Sequence, residues 1–94
     1  MAGSYLYTHI NKTTQVHNKK CVLKQISLTG DGTNNCLIDI YDGHSTANPR
    51  LMRLRALGGM TNTAVFPDDF VLDRGLYIVF DTVAYQATIL SKGK

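Results

Sequence analysis

Segments with the composition of β-strands recur along this chain at short intervals, and each is cut off by Gly, Asn, Asp or Pro. Runs of this kind cover residues 5–10, 21–28, 36–41, 50–56, 61–66, 70–72, 76–81 and 85–90. The acidic inventory points the same way. All seven acidic residues are Asp and none is Glu; Asp favours turns and caps, whereas Glu favours helices. Seven or eight short antiparallel strands cannot leave one broad sheet half bare, so they must close into two packed layers or a barrel. The chain is therefore expected to be all-β: one small antiparallel β-sandwich, jelly-roll-like or Greek-key, spanning residues 1–94, with 1–4 and 91–94 as loose ends.

Side-chain alternation sorts the strands into faces. In the first run Leu6, Thr8 and Ile10 share one face, and Tyr5, Tyr7 and His9 share the other. In the fourth, Met52, Leu54 and Ala56 oppose Leu51, Arg53 and Arg55. Leu76, Ile78 and Phe80 form a core row. Asp31-Gly32 is a favoured two-residue turn, because Gly accepts positive φ and Asp tolerates it. It predicts a hairpin in which Ile26 faces Leu37 and Lys24 faces Asp39. Alternation in this hairpin is imperfect, since Leu23, Ile38 and Ile40 fall opposite Val22, Ile26 and Leu37. Either both faces are covered or a bulge changes parity.

A chain of 94 residues is one domain, and it buries only about 60–65% of its unfolded surface. Its hydrophobic content of 44% is that of a globular protein. No apolar run approaches the ~20 residues of a membrane-spanning helix. The start, Met-Ala-Gly-Ser-Tyr-Leu-Tyr-Thr, has neither the basic nor the apolar part of a signal peptide, which makes cytoplasmic synthesis the expectation. The net charge of +3 permits an anionic partner without requiring one. The predicted hairpin would hold Cys21 and Cys36 roughly 20 Å apart, beyond disulfide reach, so both are read as reduced structural thiols.

The residues carry no recognisable reaction centre. His9, His17 and His44 are widely spaced, and no His-x-x-x-His or Cys-x-x-Cys pair supports zinc. Asp68, Asp69 and Asp73 read as turn residues. Ser4, Ser27, Ser45 and Ser91 lack a nucleophile elbow, and Gly58-Gly59 is too short to cradle phosphate. No catalytic, cofactor or metal residue is assigned, and an enzyme is not expected.

Two surface features remain as candidate partner contacts. One is the row Tyr5, Tyr7 and His9, because tyrosine buries ring area while keeping its hydroxyl satisfied. The other is Arg53 with Arg55, joined by Arg50 at the end of the polar stretch Asp42-Gly43-His44-Ser45-Thr46-Ala47-Asn48-Pro49. These arginines could bridge to another subunit. Tyrosines and arginines are not interleaved, so nucleic acid is a poor fit.

In order, the chain reads "YLYTHINKTTQV", "CVLKQISLTG", "CLIDIYDG", a polar loop, "RLMRL" and "DRGLYIVF". This order and spacing resembles a family of small all-β virion proteins of tailed bacteriophages, over Tyr5 to about Leu90. The chain departs from the pattern at Ile89-Leu90, where the family closes on an aromatic. The resemblance implies a viral structural protein located in the virion after synthesis in the host cytoplasm. Within that class it implies first a capsid decoration, or cement, protein. Its partners would be the major capsid protein or other virion subunits, with a homo-oligomer expected and no membrane. The alternatives are a tail, neck or fibre-associated protein and a receptor- or glycan-binding module.

Overall fold

The structure, a computed structural model, describes residues 5–30, 35–81 and 86–93, with the backbone alone at 67–69. Eight strands are present among them: β1 (Leu6–Ile10), β2 (Thr14–His17), β3 (Cys21–Thr29), β4 (Cys36–Asp42), β5 (Arg50–Ala56), β6 (Thr61–Leu72), β7 (Leu76–Phe80) and β8 (Gln86–Gly93). They form two four-stranded sheets, ordered β1-β8-β3-β6 and β2-β7-β4-β5, with antiparallel pairing throughout. This order is that of a jelly roll, in which the chain crosses repeatedly from one sheet to the other. The expected small antiparallel sandwich is what the chain forms.

Alternation supplies each sheet with an inward row. Cys36, Ile38 and Ile40 of β4, Leu54 and Ala56 of β5, and Leu76 and Ile78 of β7 line the core from one side. Cys21, Leu23, Ile26 and Leu28 of β3, with Ala87 and Ile89 of β8, line it from the other. The parity change in β3 is a bulge. Its register against both neighbours shifts between Leu23 and Gln25, so Cys21 and Leu23 before it and Ile26 and Leu28 after it all face inward. Both cysteines are free and buried, and burial together with the Asp42 charge pushes the Cys21 thiol up to about 11.

The structure corrects several expectations. The β3–β4 hairpin does not form: β3 pairs with β6 and β8, and β4 with β5 and β7. Both strands carry a full apolar row, and those rows cover each other only from opposite sheets. Asp31-Gly32 itself lies outside the described residues. Lys24 consequently does not face Asp39; Arg53 does. Thr14–His17 is a strand, though its single apolar residue gave no sign of one; pairing with β7 makes it so. The runs 61–66 and 70–72 are one strand, in which residues 66–69 stand against Lys24 alone. Residues 91–93 are not a loose end but part of β8, and Ser91 is buried.

One end of the sandwich is stitched by loop contacts. Gln15 Nε2 donates to the carbonyls of His17, Gly43 and Leu76 at 2.6, 2.8 and 3.1 Å. Asn48 Oδ1 accepts from the amides of His44 and Ser45, at 2.8 and 3.2 Å, and folds the polar loop back on itself. Gly43 N donates to Gly75 O at 3.2 Å. Gly75 has φ of 145°, and a Cβ there would lie 2.5 Å from the His17 carbonyl oxygen, so only glycine fits this crossing.

Candidate partner-binding faces

The arginine face lies on the outside of the β2-β7-β4-β5 sheet. Inward Leu54 and Ala56 leave Arg53 and Arg55 outward and exposed, as the alternation predicts. The register sets Asp39 of β4 directly across from Arg53. Arg53 Nε donates to Asp39 Oδ1 at 2.8 Å and Nη2 to Oδ2 at 3.1 Å, a two-pronged pair. Arg50 Nη1 adds a contact to Oδ1 at 3.5 Å, and Arg53 Nη2 lies 4.0 Å from Asp81 Oδ2. Asp39 sits among apolar neighbours, Ile38 and Ile40, and is 7% exposed. The Arg53 hydrogen bonds hold its carboxyl below the usual range; burial opposes this, and the Arg53 and Arg50 charges reinforce it. Asp39 in turn raises the Arg53 pKa. The like charges at positions 50 and 53 are thus gathered around one carboxylate.

Arg55 differs. Its side chain has no hydrogen bond or ion pair among the described residues, and its carbonyl accepts from Asn62 Nδ2 at 2.8 Å. Beside it is an open depression of about 400 Å³, bordered by Arg53, Leu57, Met60 and Asn62. Leu57 and Met60 are exposed apolar residues. Next to the ion cluster, Tyr41 and Tyr77 are register partners whose ring centroids lie 6.3 Å apart at 51°.

The tyrosine row lies on the opposite sheet, so the structure does not bring the two candidate groups together. Tyr7 and His9 point outward from β1 and are exposed; Tyr7 is 64% accessible. Tyr5 precedes the strand and carries the Lys92 ammonium 4.7 Å from its ring centroid. His9 Nδ1 and Thr88 Oγ1 are 2.9 Å apart, and Gln86 Nε2 donates to that nitrogen at 3.2 Å. Two further hydroxyl pairs, Ser27–Thr63 and Thr29–Thr61, both at 3.0 Å, continue across β3 and β6. This face is polar through hydroxyls, and the arginine face is polar through charge.

The sequence reading gave Asp39 a cationic partner, as an Asp between two isoleucines in a strand requires, but the wrong one, Lys24 in place of Arg53. Tyr41 and Tyr77 are far apart in sequence and meet only through the β4–β7 pairing. The half-buried contact between His17 Nε2 and Ser91 Oγ, 2.8 Å across the two sheets, had no local signature either; burial lowers the His17 pKa. No group of three His, Cys, Asp or Glu side chains is arranged to hold a metal among the described residues. No family model, curated protein or solved structure matches the chain.

Proposed function

We propose that this chain is a non-enzymatic structural component of a phage particle, a capsid decoration or cement protein that binds the coat shell. The observation that carries the reading is the pair of outward faces. One presents arginines and tyrosines and the other presents hydroxyls and Tyr7, on opposite sides of a body 41 × 28 × 19 Å in extent. A domain so thin touches two neighbours at once, one on each side, which is what tying a shell together requires. The resemblance in the order of "CVLKQISLTG", "CLIDIYDG" and "DRGLYIVF" supplies the virion setting. The jelly roll is compatible with this role and does not select it, because function resides in surfaces grafted on a fold.

Within the arginine face the contact falls to Arg55 rather than Arg53. Arg53 is committed to Asp39, whereas the Arg55 side chain has no partner among the described residues and stands beside an apolar-edged depression. The test is to add the purified protein to undecorated particles and locate it by cryo-electron microscopy. Density on the shell, reduced about tenfold or more in occupancy by Arg55→Glu, is the expected result. Density on the tail, neck or fibre moves the protein to that part of the virion. A glycan-binding screen that is positive and abolished by Tyr7→Ala replaces the docking reading with a receptor-binding one.

A further inference from the structure

The four edges of the two sheets are not alike. An exposed edge strand offers unpaired backbone groups, and proteins blunt such edges with charge, bulges, proline or brevity. Among the described residues, β6 is interrupted where residues 66–69, which include Pro67, stand against Lys24 alone. β2 has only four residues and a register shift between Gln15 and His17. β5 carries Arg50, Arg53 and Arg55 within seven residues. β1, though only five residues long, carries no charge, bulge or proline. Its register on β8 is unbroken over Leu6–Ile10, it bears no Lys, Arg, Asp or Glu, and it presents the two most exposed large hydrophobics, Leu6 at 68% and Tyr7 at 64%.

We propose that the β1 edge pairs antiparallel with β1 of a second copy of this chain. Centred on Thr8, the pairing sets Leu6 opposite Ile10, Tyr7 opposite His9 and Thr8 opposite itself. These are an apolar pair, an aromatic–imidazole pair and a hydroxyl pair, all favourable cross-strand partners, and no like charges meet. The two first sheets then continue into one, β6-β3-β8-β1-β1-β8-β3-β6. The absence of charge argues for a second copy over a foreign strand: the edge offers nothing for an acidic or basic partner to read, but it is complementary to itself. On β5, by contrast, a second copy would bring arginines against arginines.

A five-residue edge is short, and a stable interface buries about 1,600 Å² in total. The pair is therefore weak in dilute solution and gains occupancy where copies are held close together on a common surface. The inference rests on the docking reading for that setting alone, since the pairing itself is a property of the free protein. Sedimentation equilibrium of the full chain, from about 10 µM to about 1 mM, is the test. The expected result is a reversible rise from monomer toward dimer. Tyr7→Lys/His9→Lys and Tyr7→Glu/His9→Glu, both altered only at exposed positions, each weaken association about tenfold or more, because like charges then stand opposed. An equimolar mixture of the two restores it, which requires that both variants are folded. A wild-type monomer throughout the range, association undiminished in both variants, a mass passing beyond dimer, or a mixture that stays monomeric would each overturn the proposal. None of these results bears on whether the protein binds a shell, which the particle experiment reads separately.

Discussion

Asp39 shows how much one residue can organise. On the outer side of β4, between two core isoleucines, it is nearly closed to solvent yet ionised, and two arginines answer it. Losing the partner should cost more than losing both charges, because a buried carboxylate without hydrogen bonds keeps its desolvation penalty. Arg53→Met retains the aliphatic stem and is expected to lower the urea midpoint. Adding Asp39→Asn to it should recover part of the loss, with an unchanged slope. The Asp39 contribution is present above its ordinary pKa of 3.8 and disappears as pH falls through the depressed folded value. His17 acts at milder pH. Burial lowers its folded pKa below 6.5, so the unfolded chain takes up the proton first. Stability due to this group is complete above about 6.5 and is lost as pH falls through the folded value. The melting temperature should therefore decline as pH falls below about 6.5, and His17→Gln should flatten that segment of the profile.

At the scale of the element, β3 and β6 illustrate bulges with different effects. The single-residue bulge at Lys24 keeps β3 facing the core along its whole length. The larger excursion in β6 breaks an edge that would otherwise run for twelve residues. Turn geometry is equally constraining. Gly75 begins the return into β7 with its backbone against the His17 carbonyl and Gly43. Gly75→Ala places a methyl into that contact at a φ few L-residues adopt, and it should destabilise by roughly 1–3 kcal/mol in denaturant unfolding. A loss below a few tenths of a kcal/mol would mean that the β2–β3 and β6–β7 connections separate easily.

For the whole molecule, the consequence of a jelly roll is that nearly every strand pairs with one distant in sequence. Among the described residues, only β4 and β5 are both consecutive and paired. Loop-closure entropy must be met before those pairings add stability, so refolding is expected on the millisecond-to-second scale typical of all-β domains of high contact order. Stopped-flow refolding of the reduced protein checks this; completion within microseconds would be inconsistent with the topology.

Local chemistry was sufficient to specify strand-forming segments, their punctuation and most inward rows. Alternation and turn residues act over a few bonds and need no partner to be recognised. That is why Leu54 and Ala56 could be placed inward, and Arg53 and Arg55 outward, from the letters alone. Partner choice followed a different rule. A favourable Asp31-Gly32 pair suggested that β3 and β4 lie side by side, but a turn constrains only its own residues, and the two apolar rows had to be shielded from water together. Their burial from opposite sheets set the strand order. That order brought Arg53 onto Asp39 and Tyr41 beside Tyr77, set the tyrosine row and the arginines on opposite faces, and left β1 as the edge without charge, bulge or proline. The sequence by itself determined most of the strands and the inward rows of those that alternate cleanly; only the closing of two sheets over one core made a strand of Thr14–His17, fixed the parity of β3 and decided what each strand would face.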